Sequence, residues 1–115
     1  MRRNWENLNS SEKGTPEQKA LGMLGLATRA GKSCSGEFSA ESALKKGKAA
    51  LVILSRDASD NTVKHFMDMS AYRDVACIRL GTKEELGKFC GKAYRSVAVV
   101  TDPGLAGQIR RLMSP

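Results

Sequence analysis

A chain of 115 residues with 19 Lys+Arg against 12 Asp+Glu, net charge +7, has room for one compact domain and suits a polyanionic partner, most commonly nucleic acid. Its longest apolar run, residues 49–54, falls far short of the roughly 20 residues that span a bilayer, and the polar opening MRRNWENLNSSEKG is no secretory signal, so a cytoplasmic protein with no membrane association is expected. Three widely spaced cysteines, Cys34, Cys77 and Cys90, with the single His65 fit neither a disulfide framework nor a metal site, and each thiol reads as a small hydrophobe.

Residues 1–14 are rich in Asn, Ser and charge and read as a flexible arm, Trp5 its one aromatic; residues 15–115 form the single domain. Thr15-Pro16-Glu17-Gln18 combines a capping threonine, a proline at the first helical position and a glutamine at the third. It opens a first helix to about Arg29, with Ala20, Met23, Leu24 and Ala27 inward and Gly22 and Gly25 admitting a close neighbour; Gly31 ends it. Residues 33–35 predict a short edge strand, and Gly36 opens a second helix over 37–46 that buries Ala40, Ala43 and Leu44. The unalternating AALVIL of residues 49–54 predicts a central strand covered on both faces. Ser59 caps a third helix through about Met69, with Val63, Phe66 and Met67 inward and His65 structural. Residues 74–80 predict a strand, and Thr82-Lys83-Glu84-Glu85 a capping box for a helix that stops at Gly91. After the loop 92–95 comes a last strand, 96–100, and Asp102-Pro103 starts a final helix with Leu105, Ile109 and Leu112 inward. This alternation predicts an α/β fold, a three-layer α/β/α sandwich around a small four-stranded mixed sheet.

No nucleophile with a base, carboxylate pair, metal cluster, dinucleotide fingerprint or phosphate-binding Walker loop occurs in recognisable spacing, so no catalysis and no cofactor are expected. Binding chemistry converges better. The opening turn of a helix leaves N–H groups without intrahelical partners and carries the positive end of its dipole, which attracts phosphate. The mouth of the second helix and the loop 55–57 are expected close together, and Lys32, Lys45, Lys46, Lys48 and Arg56 near them in sequence. Those cations suit phosphates, Glu37, Ser39 and Ser42 suit base or sugar edges, and Tyr94 between Lys92 and Arg95 offers a stacking ring. The alternatives stay open: Lys45 and Lys46 also read as a solvated helix end, and Tyr94 as a cover for the sheet edge.

The series Gly36-Glu37-Phe38 through Ala43-Leu44-Lys45-Lys46-Gly47-Lys48-Ala49, then Leu51-Val52-Ile53-Leu54-Ser55-Arg56-Asp57-Ala58-Ser59, resembles the ribosomal protein L7Ae family, and in particular its small bacterial YlxQ-type members. Gly81-Thr82-Lys83-Glu84-Glu85-Leu86-Gly87, Cys90-Gly91-Lys92 and Val97-Ala98-Val99-Val100-Thr101-Asp102-Pro103-Gly104 continue the likeness, which covers about residues 17–113. The resemblance implies a binder of structured RNA, typically kink-turns, in which tandem sheared G·A pairs bend a helix. It places Gly36, Phe38, Ser39 and Ser42 against the G·A pairs and Lys92, Ala93, Tyr94 and Arg95 on a flipped-out nucleotide, with Arg56 and Asp57 in the adjoining loop. Phe38, Ser39 and Ser42 depart from the Asn or Lys, Glu or Gln, and Lys of typical kink-turn binders, and Arg56 replaces an acidic residue. The expected protein is a monomeric, non-enzymatic binder of structured RNA, kink-turn-like or ribosomal, acting through the N-terminus of the second helix and adjacent loops and associated with ribosomes, and these departures favour RNA binding over kink-turn specificity. A protein-interaction module of the translation machinery on the same fold is the alternative.

Overall fold

The computed structural model describes residues 14–114; residues 1–13 of the expected arm, Trp5 among them, lie outside the described residues. The elements follow in the order α1 (Pro16–Arg29), β1 (Ser33–Ser35), α2 (Glu37–Lys45), β2 (Leu51–Leu54), α3 (Asp60–Tyr72), β3 (Cys77–Arg79), α4 (Lys83–Phe89), β4 (Val97–Val100) and α5 (Pro103–Met113). The Thr15 box forms as its residue types require: the Gln18 N–H donates to the threonine hydroxyl, the Thr15 N–H donates to the Gln18 side chain, and Pro16 holds the first helical position. Gly31 turns left-handed after α1, with φ of 73°.

The sheet order is β1-β4-β2-β3, with β4 antiparallel to both its neighbours and β2 parallel to β3. Both long strands are buried throughout, and the two-residue side-chain period sorts them between two cores. Leu51, Ile53, Ala98 and Val100 point to a layer with Leu21 and Leu24 of α1, Leu86 of α4 and Ile109 of α5. Val52, Leu54, Val97 and Val99 point to the opposite layer with Ala40 and Leu44 of α2 and Phe66 of α3. The expected sandwich is present, with β1 at an edge and β2 inside.

Three details differ from the sequence pattern. Helix α3 continues to Tyr72, and Met67 is exposed, because the buried line of that helix runs through Phe66 and Ser70. Gly22 has nothing near it, whereas Gly25 does admit a neighbour: a Cβ there would lie 3.1 Å from the Phe89 ring of α4. The strands are shorter than their apolar runs, since residues 49–50 and 74–76 lead into β2 and β3 instead of extending them. Phe66 is the largest fully buried side chain among the described residues, so Phe66→Ala should lower the free energy of unfolding by about 3–5 kcal/mol in urea denaturation.

Candidate nucleic-acid interface

Because β4 is antiparallel to both β1 and β2, those two strands run the same way, and β3 follows β2. Each of the three is followed by a helix, so the N-termini of α2, α3 and α4 open at one end of the sheet. The loop entering β4 arrives at that same end. Backbone bonds pin it there: Gly36 N–H donates to the Val97 carbonyl at 3.0 Å, Ser55 N–H to the Ser96 carbonyl at 2.9 Å, and Arg95 N–H to the Lys83 carbonyl at 3.0 Å. Three positive helix ends thus meet a basic loop.

Among these helices the mouth of α2 stands open. Ser59, Thr82, Thr15 and Asp102 each accept a backbone N–H at the start of their helices, but the N-cap of α2 is Gly36, with no side chain to offer. Its φ of 94° and ψ of 155° suit glycine alone. The N–H groups of the first turn therefore keep no side-chain acceptor. Arg95 lies across this opening, its Nε donating to Ser35 Oγ at 3.1 Å and its Nη1 to the Tyr94 carbonyl at 2.8 Å. A Cβ on Gly36 would sit 3.6 Å from the Arg95 Nε. Phe38, in the same turn, is 87 % exposed and Tyr94, next to Arg95 in the loop, 63 %, so two aromatic side chains at this end of the sheet face solvent. Ser39 and Ser42 are half-buried on the groove beside Phe38.

The loop of Lys92, Ala93 and Tyr94 is exposed but held by close packing on α4. Lys92 N–H donates to the Gly87 carbonyl at 2.8 Å, and a Cβ on Gly87 would come within 2.6 Å of the Ala93 carbonyl oxygen and 2.8 Å of the Tyr94 nitrogen. Gly87 is the residue on which the loop rests.

Several sequence-selected residues have other engagements. Glu37 turns toward α3 and accepts from the Thr62 hydroxyl at 3.2 Å. Arg56 makes a two-pronged ion pair with Glu17 of α1, both contacts 2.8 Å, and Glu17 also accepts the Gly81 N–H at 2.6 Å. Asp57 accepts the Lys83 N–H at 2.8 Å at the start of α4. Arg79, not singled out from sequence, donates to the carbonyls of Ser55 and Arg56. Together these contacts fix the loop after β2, with Arg56 and Asp57, against α1 and α4. The Arg56 hydrogen bond holds the Glu17 carboxyl below the ordinary carboxylate range against the opposing effect of burial, and the Gly81 N–H adds to the lowering. Lys32, Lys45 and Lys46 are not at the mouth. Lys32 precedes β1 and bonds through its carbonyl to Thr101 beyond β4, while Lys45 and Lys46 sit at the C-terminal end of α2. His65 pairs with Glu41 at 2.7 Å across α2 and α3, a structural contact as expected.

The fold and its open end define an α/β/α sandwich that presents one uncapped helix mouth beside a basic, aromatic loop. The model of the ribosomal protein L7Ae/L30e/S12e/Gadd45 family matches residues 18–109, and the chain belongs to that family. It is 38% identical over 96 residues to the RNA-binding protein YlxQ of Enterococcus faecium, covering 84% of this chain and 92% of that protein. Against the RNA-binding protein YlxQ of Bacillus subtilis (strain 168) the identity is 38% over 91 residues, 79% of this chain and 91% of that one. Among solved structures, a protein of unknown function from Bacillus halodurans superposes with a TM-score of 0.78 at 35% identity, covering 82% of this chain and 95% of that chain. A 15.5kD RNA binding protein of Giardia lamblia shares the fold at a TM-score of 0.71 and 20% identity, over 84% and 83% of the two chains.

Two measurements check this geometry. Helix propensity alone would make Gly87→Ala stabilising by about 1 kcal/mol; the clash with the Ala93 backbone should reverse the sign and cost about 1–3 kcal/mol, read by urea denaturation. For Glu17, a carboxyl whose pKa is lower folded than unfolded stabilises above the unfolded value and loses that contribution as pH falls through the folded one. Glu17→Gln should therefore cost about 1 kcal/mol at neutral pH, a modest figure because Arg56 is half exposed. The two unfolding curves should begin to converge as pH falls below about 4.3, and meet only below the lowered folded-state value.

Proposed function

We propose that this protein is a non-enzymatic RNA binder that takes structured RNA at the α2 mouth, with the Lys92 to Arg95 loop on an unstacked nucleotide. One observation carries the proposal: Arg95 is held across the one described helix mouth that no side chain caps, with Phe38 exposed beside it. A phosphate or a guanine edge at that opening would meet free backbone N–H groups and a fixed guanidinium at once. The names of the Enterococcus and Bacillus relatives, both RNA-binding proteins, support the same class of partner. Gly36, Phe38, Ser39 and Ser42 form the reading edge, and Lys92, Ala93, Tyr94 and Arg95 the clamp. Glu37, Arg56 and Asp57 position these two segments instead of contacting RNA. A kink-turn is the specific RNA we assign, with ribosomal RNA as its source, in the cytoplasm and with the protein as a monomer. Phe38 supplies stacking where a polar side chain would hydrogen-bond. The exposure of Phe38 is also what a protein partner of the translation machinery would use, and the same experiment separates the two.

Fluorescence anisotropy with a kink-turn RNA, the same RNA with Watson-Crick pairs in place of its G·A pairs, and a plain duplex, across a salt series, tests the assignment. The kink-turn should bind at least about tenfold tighter than either control at physiological salt, about 1.4 kcal/mol, and Arg95→Glu should abolish that preference. Equal binding of all three that vanishes with salt would overturn kink-turn readout, and no binding at all would favour the protein partner.

A further inference from the structure

The basic residues divide between the two ends of α2. At about 1.5 Å per residue, Lys46 stands roughly 15 Å from Gly36 along the helix. Around it, at the end of the sheet opposite the mouth, are Lys32, Lys45, Lys48 and Arg73, all exposed. Among the described residues no carboxylate pairs with any of them; the ion pairs are Arg56 with Glu17 and Lys64 with Asp68, and His65 contacts Glu41. The nearby acids are Asp74, following Arg73 at the end of α3, and Glu41, one helical turn before Lys45 and lining a groove with Lys45 and Lys46, whose carboxylate is engaged by His65.

Arg73 is not a loose surface cation. Its Nη1 donates to the Lys45 carbonyl at 3.2 Å, so the guanidinium caps the negative end of α2, and it lies 5.6 Å from the centroid of the Tyr72 ring. Tyr72 itself is 84 % exposed, a large ring that covers no core. A groove lined by Phe38, Ser39, Ser42, Lys46, Lys48 and Thr101 joins this end to the mouth. Five like charges gathered on one surface cost self-repulsion that a polyanion relieves, and an arginine tied to the α2 C-terminus beside an exposed tyrosine offers a phosphate contact and a base platform together.

We infer that this far end is a second RNA-contact surface: Lys46, Lys48 and Arg73 take the backbone of a stem that runs on from the motif held at the α2 mouth, and Tyr72 stacks on a base exposed where that stem ends or bulges. The inference rests on the RNA-binding reading of the mouth and extends it to a clamp along the whole length of α2. The mouth sets which motif is chosen, and the far end adds salt-sensitive affinity for the stem beyond it.

The test uses the full chain, a plain long duplex and two kink-turn RNAs, one whose stem stops at the motif and one whose stem continues a further helical turn and ends in an unpaired nucleotide. The wild type should bind the longer RNA at least about tenfold tighter at low salt. Lys46→Glu, Lys48→Glu and Arg73→Glu together should remove that advantage and reduce the salt slope by about 3, while leaving the affinity for the short RNA unchanged. Tyr72→Ala should cost about fivefold or more on the longer RNA, and Tyr72→Phe should restore it. Replacing the same three cations by glutamine, with the thermal midpoint checked, separates lost contacts from lost fold. Equal affinity of the wild type for both RNAs, or an equal loss on both in the triple variant, overturns the second surface. A wild type that binds a plain long duplex as well as either kink-turn overturns motif reading at the mouth and leaves the far end standing, and binding to no RNA overturns both.

Discussion

The constraint on which this molecule depends is the antiparallel insertion of β4 between β1 and β2. Two parallel strands carry their following helices to one end of a sheet, but neither β1 nor β2 hydrogen-bonds the other. β4 fills the gap, and because it runs the other way its incoming loop must arrive where α2, α3 and α4 begin. A loop with Lys92, Tyr94 and Arg95 is thereby brought beside an open helix mouth by strand pairing, and its packing on Gly87 and the Arg95 bond to Ser35 hold it there. Val97 and Val99 on one face and Ala98 and Val100 on the other bind both cores to that strand, so the site inherits the rigidity of the best-buried part of the fold.

Polar contacts refine what the sheet sets up. The loop after β2 is tied on one side by the Arg56 and Glu17 pair and on the other by Asp57 at the start of α4, with Arg79 bonding the carbonyls of the loop itself. On the opposite face, Glu37 with Thr62, Glu41 with His65 and the Lys45 carbonyl with Arg73 join α2 to α3 at three successive levels. These contacts fix the tilt of α2, and with it the direction in which its open turn points. Exposed ion pairs contribute little stability; here their effect is geometric.

Much of this was legible in the sequence, and the reasons for the misses are physical. The four-residue cores of β2 and β4, the capping boxes at Thr15 and Thr82, and Gly25 as a point of close approach all follow from local chemistry that the fold does not override. The layering follows too, because helical and strand periods alternate without interruption. The sequence marks Arg56 as a cation suited to phosphate but not its ion pair with Glu17, which lies 39 residues away, a distance no local pattern reports. Lys32 was grouped with the mouth because it is near Gly36 in the chain, yet three residues of β1 are enough to carry the backbone from one end of the sheet to the other. Met67 follows Phe66 but is rotated about 100° around the helix, which turns it to solvent. The contact of Gly87 with the Ala93 backbone had no signal other than a glycine inside a helix. That pattern disfavours the helix by itself and so points to a neighbour that needs the space.

The pairing of Ser33 with Val100 also bears on when the molecule becomes competent. β1 and β2 have no strand between them until β4 is available, and contacts so far apart in sequence form late, after the local helices. A nascent chain emerging from the ribosome can assemble the parallel β2, α3 and β3 unit early, but neither Arg95 nor the Val97 carbonyl is in place to order the α2 mouth. Any binding that needs that mouth therefore waits until synthesis has passed β4.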